Sequence, residues 1–203
     1  MISAKFRNYT NKITHQIAKI FVALNISPNA ATMLTILFAL ITSYFILQGN
    51  YLLAGIFILI TGGVDALDGA IARITNKTTK FGGYLDAIVD RYVEFFFILA
   101  IGIQSGLWVP IMLFLFGSMM TSYSKARTAI EVKISNTNWP EFIERGERLT
   151  ILAIGLIIFG FWKELIFGNN LLFWLLWILA VLTNFSALQR IIRAKKIIEE
   201  AKE

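Results

Sequence analysis

The stretch Val64–Glu94, VDALDGAIARITNKTTKFGGYLDAIVDRYVE, decides the fold and carries most of the chemistry. It lies between two long apolar runs and interrupts both with acids. Asp65 and Asp68 form one pair and Asp86 and Asp90 another; Gly69 follows the first pair and Gly82 precedes the second. Arg73 closes the first half. Ionisable side chains inside segments apolar enough for a membrane are expensive to hold there and mark a functional site by default. Asp65 and Asp68 share one helix face by their spacing, as do Asp86 and Asp90. Gly62, Gly69 and Ala72 fall on the first face, so it is acidic but sterically bare. Bare surface beside carboxylates leaves room for something else to fit.

Outward from this stretch, the 203 residues are 57% hydrophobic and 16% charged, with no cysteine and a formal net charge of +6. Soluble domains are nearer half apolar and a quarter charged. The composition therefore predicts an all-α integral membrane protein, with no disulfide or thiolate chemistry and a single membrane domain over residues 1–203. Residues 1–26 are too polar for a signal peptide. Phe6, Tyr9, Ile13, Ile17, Ile20 and Phe21 recur at helical steps opposite Lys5, Arg7, Lys12 and Lys19, which predicts an amphipathic helix lying on the membrane surface.

Ser27-Pro28 reads as an N-cap followed by proline at the first helical position. Six apolar runs follow, near 30–48, 52–73, 83–104, 107–127, 149–167 and 171–193, each about the length of a bilayer crossing. They form the core over 30–193, with 194–203 as a polar tail. The side holding both termini carries Arg73, Lys77, Lys80, Lys125, Arg127, Lys133, Arg145, Arg148, Arg190, Arg193, Lys195, Lys196 and Lys202; the other has Lys163 alone. Positive residues in short loops stay inside, so both termini and the acids are expected on the cytoplasmic side of the cell membrane. Trp108, Trp162, Trp174 and Trp177 gather toward the far side, as an interfacial belt does. Basic residues arranged as a membrane collar give no reason to expect a nucleic-acid partner.

Asp65 precedes Arg73 by roughly 12 Å along a helix axis, at about 1.5 Å per residue, so the acids are sunk within the cytoplasmic leaflet. The short join at 74–82 predicts antiparallel neighbouring helices with the two acid pairs facing each other. Four such carboxylates repel one another unless protons or a cation intervene. An all-oxygen donor set suits Mg²⁺, Mn²⁺ or Ca²⁺ rather than zinc. Two other readings of these acids are interhelical salt bridges, with Arg73, Arg91, Lys77 and Lys80 as partners, and a transport path for ions or metals. The one-sided basic collar speaks against the path.

The pattern Asp65-x-x-Asp68-Gly69-x-x-Ala72-Arg73, eight residues, then Gly82-x-x-x-Asp86-x-x-x-Asp90 resembles the signature of the CDP-alcohol phosphatidyltransferases at every defined position. The resemblance implies a six-crossing homodimer with a pair of Mg²⁺ or Mn²⁺ ions at Asp65, Asp68, Asp86 and Asp90. It implies that Asp90 is the base accepting the proton of an incoming alcohol. It also implies that Asn29, Ala30, Ala31, Thr32, Gly69, Arg73, Thr79 and Gly82 contact a CDP-linked lipid.

The acceptor is read from other cations. Lys125, Arg145, Arg148 and Arg190 come from the ends of three further helices at similar depth and would form an anion pocket, which asks for a phosphorylated acceptor. The segments SYSKAR, FIERGERL and ALQR resemble the phosphatidylinositol-phosphate synthase subfamily, including its archaetidylinositol-phosphate members. Gly146 and Thr150 depart from its pattern but leave the cations intact. The resemblance implies transfer of the lipid phosphate from CDP-diacylglycerol or CDP-archaeol to inositol phosphate, releasing CMP; glycerol 3-phosphate is the alternative acceptor.

Overall fold

Capping chemistry sets the helix starts. Ser27 Oγ accepts the Ala30 N–H at 3.2 Å, Asn50 Oδ1 that of Leu53 at 3.2 Å, Thr79 Oγ1 that of Gly82 at 2.9 Å and Asn170 Oδ1 that of Phe173 at 2.9 Å. Each satisfies an amide that a helix leaves unpaired at its N-terminus. Seven helices result in the computed structural model, which describes residues 2–132 and 142–201, with side chains from residue 13 onward. They are α1 (Ile2–Ala23), α2 (Pro28–Leu47), α3 (Tyr51–Ile74), α4 (Lys80–Ser105), α5 (Trp108–Glu131), α6 (Arg145–Phe161) and α7 (Leu171–Glu200). Lys133 and Lys202, and the side chains of Lys5, Phe6, Arg7, Tyr9 and Lys12, lie outside the described residues.

Among the described residues the protein is all-α apart from one small hairpin, and α2, α3 and α7 are long and apolar enough to cross a membrane. The fifth apolar run was expected to stay helical to 167, but α6 ends at Phe161. Strands β1 (Leu165–Ile166) and β2 (Asn169–Asn170) pair antiparallel across Phe167-Gly168. Both turn residues have positive φ, 49° and 78°, the backbone that a two-residue hairpin requires. Trp174 Nε1 donates to Ile166 O at 2.8 Å and ties the hairpin to α7.

Helices α5 and α7 pack along each other, α2 packs on both α3 and α4, α6 lies on α3, and α1 runs along α3. The closest approaches use glycine. A β-carbon on Gly55 would meet Ala153 O at 2.5 Å, and one on Gly117 would meet Thr183 Oγ1 at 2.6 Å. Small residues of this kind let membrane helices approach closely. The apolar core runs through Ile46, Ile58, Phe97, Ile101, Phe114, Leu152 and Leu176. A smaller cluster of Ala18, Ala31, Leu67, Ala70 and Ile71 seats the end of α1 against the half of α3 that carries the acids.

The expectation that α3 and α4 pack as direct neighbours needs correction. They scarcely touch; α2 packs against each and keeps them apart. Loop length constrains how far two helix ends can separate, not whether their faces meet. The gap between them is where the acids lie.

Candidate active site

Asp65, Asp86 and Asp90 each bring a carboxylate oxygen within 4.8 Å of the others across this gap. Asp68 stands apart from the trio. Thr32 Oγ1 donates to its Oδ2 at 2.6 Å, and the Gly69 amide donates to its Oδ1. A hydroxyl of α2 thus orients the acid of α3. Asp90 Oδ1 is buried and accepts no hydrogen bond of ordinary geometry among the described residues, although Arg145 Nη1 lies 2.6 Å away. Three clustered carboxylates, one with an unsatisfied buried oxygen, are a hard-oxygen donor set that fits a divalent metal ion.

A cavity opens on either side of the acids. The first, about 190 Å³, is lined by Asn29, Thr32, Asp68, Gly69, Thr79, Gly82 and Asp86, together with Pro28, Ala72, Lys77, Thr78 and Gly83. It joins five of the eight residues expected to hold the CDP-lipid. A β-carbon on Gly82 would press on Thr79 Oγ1 at 3.1 Å, whereas one on Gly83 would meet nothing within 4 Å. Three expected contacts do not line it. Ala31 is fully buried among Ala18, Leu67 and Ala70 and has no surface to offer a ligand. Ala30 is exposed at the cap of α2, and Arg73 is exposed with its guanidinium lying over Gly69. Lys77 and Thr78 were not anticipated. They sit in the join at 74–82, from which only Thr79 and Gly82 are expected at the CDP-lipid.

The second cavity, about 570 Å³, gathers Lys125, Arg145, Arg148 and Arg190 with Asp90. All four expected cations therefore line one space, but they are not equivalent. Arg145 Nη1 reaches Asp65 Oδ2 at 3.0 Å as well as Asp90. Arg148 is 1% exposed, less open than expected of a phosphate contact. Its Nε donates to Glu94 Oε1 at 2.8 Å and its Nη2 to Ser118 Oγ at 2.8 Å. Arg190 Nη1 donates to Thr121 O, at the wall of the cavity.

The sequence points to Arg91 only as a salt-bridge partner of the acids; in the structure it also lines this cavity. Its Nη1 donates to Ser122 Oγ at 2.7 Å and lies 3.4 Å from Glu94 Oε2, while Nη2 is 3.7 Å from Asp90 Oδ2. The signal was present: Asp86, Asp90 and Glu94 continue one four-residue stripe, with Arg91 three before Glu94. The arrangement can hold a nucleotide on one side of a metal-binding acid cluster and an anionic partner on the other.

The comparisons agree with this chemistry. The family model of CDP-alcohol phosphatidyltransferase matches residues 25–185. The archaetidylinositol phosphate synthase of Pyrococcus horikoshii is 34% identical over 97% of this chain and 98% of its own length. The phosphatidylinositol phosphate synthase of Mycobacterium tuberculosis, solved with CDP-DAG bound, superposes with a TM-score of 0.77 at 26% identity, covering 90% of this chain and 94% of that one. The same enzyme in complex with manganese and citrate gives 0.76 at 26% identity over 89% and 88%. The chain therefore belongs to the CDP-alcohol phosphatidyltransferase family and is a multi-pass membrane transferase of phospholipid synthesis.

Proposed function

We propose that the protein transfers the phosphate-linked lipid of CDP-diacylglycerol or CDP-archaeol to inositol phosphate and releases CMP. The observation that carries the acceptor is the second cavity, where Lys125, Arg145, Arg148 and Arg190 surround a space that ends at Asp90. A serine or free-inositol acceptor would give such a cluster of cations nothing to bind. The names of the relatives, archaetidylinositol phosphate synthase and phosphatidylinositol phosphate synthase, support the same acceptor.

In this reading the cytidine and ribose lie in the first cavity, against Asn29, Thr32, Gly69, Thr79 and Gly82, with Arg73 and Ala30 at its approach. Arg73 suits phosphate because its guanidinium is a planar, multiply donating group. Asp65, Asp68, Asp86 and Asp90 hold the metal, Mg²⁺ or Mn²⁺ and two ions. When bound, such ions neutralise the pyrophosphate oxygens and stabilise the leaving CMP. Lys125, Arg145, Arg148 and Arg190 hold the acceptor phosphate and point its sugar toward Asp90. Asp90 takes the proton from the acceptor hydroxyl. That oxygen forms a bond to the lipid-side phosphorus as the bond to the CMP oxygen breaks. Arg145, shared between Asp65 and Asp90, links acceptor binding to the acid cluster.

The proposal extends to the setting. Residues 1–203 form one membrane domain with α2–α7 as six crossings, α1 on the membrane surface, and the termini and site on the cytoplasmic side of the cell membrane. The protein acts as a homodimer, which light scattering of the detergent-solubilised enzyme checks. CMP release, measured across inositol phosphate, glycerol 3-phosphate, inositol, serine and glycerol, tests the acceptor. Release is expected only with metal, CDP-lipid and inositol phosphate together. Equal or faster turnover with glycerol 3-phosphate sinks the assignment.

A further inference from the structure

Among the described residues, the most deeply buried charge belongs to no step of the reaction proposed above. Glu94 is fully buried, one helical turn beyond Asp90 on α4. A carboxylate taken out of water needs partners in proportion, and Glu94 has three. Arg148 donates to it through Nε at 2.8 Å and Nη2 at 3.3 Å, Ser118 Oγ donates at 2.6 Å, and Arg91 Nη1 lies 3.4 Å away. Ser118 also accepts from Arg148 Nη2, and Arg91 donates to Ser122. The network joins α4, α5 and α6, and two of its members, Arg91 and Arg148, line the cavity at Asp90.

We propose that Glu94 is a positioning residue for the acceptor site: it fixes the guanidiniums of Arg91 and Arg148 so that their remaining donors meet the acceptor phosphate. Arg148 spends Nε and Nη2 on Glu94 and Ser118, which leaves Nη1 for a ligand. Arg91 is held between Glu94 and Asp90, so the same carboxylate that orders the phosphate contacts also braces the base. Without Glu94 the two like-charged guanidiniums repel and lose their fixed geometry, and a fork-shaped donor is useful only when its orientation is set. The inference rests on the reading of this cavity as the acceptor site.

A simple charge argument gives the opposite sign, which makes the idea testable. Removing a negative charge beside an anion pocket should tighten anion binding. Removing a positioning residue should weaken it. CMP release is measured for Glu94→Gln, Glu94→Asp, Ser118→Ala and Lys125→Ala, with the acceptor varied at saturating CDP-lipid and then the reverse, after size-exclusion chromatography in detergent confirms folding. Glu94→Gln is expected to raise the acceptor KM about tenfold, the scale of one lost charged hydrogen bond, and to leave the CDP-lipid KM unchanged. Glu94→Asp, which keeps the charge, recovers part of the loss. A folded Glu94→Gln enzyme with an unchanged or lowered acceptor KM overturns the proposal. If Glu94→Gln does not fold, Ser118→Ala decides: a raised acceptor KM alone supports the positioning role, and no change overturns it. Lys125→Ala separates the two readings. If it leaves the acceptor KM unmoved, the cavity is not the acceptor site and both fail; if it raises the KM while Glu94→Gln does not, only the positioning role falls.

Discussion

Arg145 Nη1 lies 2.6 Å from Asp90 Oδ1, and the same nitrogen lies 3.0 Å from Asp65 Oδ2. One guanidinium at the start of α6 thus spans acids from α3 and α4, two helices that otherwise scarcely touch. The contact supplies positive charge between carboxylates that repel, the need a divalent ion would also meet.

Arg145→Ala should therefore make the fold more dependent on metal. In chelator-treated detergent solution the variant is expected to melt several degrees below the parent, since about 1 kcal/mol shifts Tm by about 2–4 °C at this size. Added Mg²⁺ should restore more of the loss in the variant than it adds to the parent. Thermal melting with and without metal checks this, and an equal metal response in both proteins counts against the role.

The glycine contacts make a second prediction. A β-carbon at position 55 would sit 2.5 Å from Ala153 O and 2.6 Å from Ile157 Cγ1, both on α6. Gly55→Leu must push α6 from α3, and overpacking of this kind costs about 1–3 kcal/mol. The expected outcome is a Tm lowered by several degrees. Gly63→Ala on the same helix, where an added β-carbon meets nothing within 4 Å, is expected to melt like the parent.

These two cases bear on what the sequence makes legible. The acid signature could be read because its spacing is set by a helix period and by chemistry: the two acid pairs are expected to face each other, and three of the four acids, Asp65, Asp86 and Asp90, converge while Asp68 is engaged by Thr32. The cations at Lys125, Arg145, Arg148 and Arg190 were legible as a group because each ends a crossing at similar depth. What each one touches was not. Arg148 and Glu94 are 54 positions apart, and no local pattern announces a pair that only tertiary packing creates. The burial of Ala31 was hidden for the same reason: its neighbour Ala18 comes from the end of α1. The early end of α6 had a local signal in Lys163-Glu164, two charged residues just past Phe161.

Thr32 offers a third test. Its hydroxyl donates to Asp68 Oδ2 at 2.6 Å while Asp68 faces the first cavity. Thr32→Val keeps the shape of the side chain and removes the donor. A hydrogen bond to a charged group contributes about 1.5–3 kcal/mol, so the CDP-lipid KM is expected to rise about tenfold or more. The acceptor KM, set across the acid cluster, should stay within about twofold, since no contact of Thr32 reaches the second cavity. Steady-state CMP release with each substrate varied in turn separates the two, and a matched rise in both KM values would count against it.

Asp90→Asn tests the base most directly. The amide is nearly the same size and keeps one oxygen toward Arg145, but it cannot take up the acceptor proton. Positioned proton transfer contributes about 10²–10⁴-fold to rate, so kcat is expected to fall by about that factor. Binding of CDP-lipid in the first cavity should persist, because that space is bounded by Asp68 and Asp86 rather than Asp90. The check pairs two readouts: CMP release, and stabilisation against heat by saturating CDP-lipid with metal present. If the acids act only to hold the helices together, the variant loses Tm and lipid binding along with turnover. If Asp90 is the base, the variant folds, binds CDP-lipid and fails to turn over. A variant that folds and keeps more than about a tenth of parental kcat excludes Asp90 as the proton acceptor.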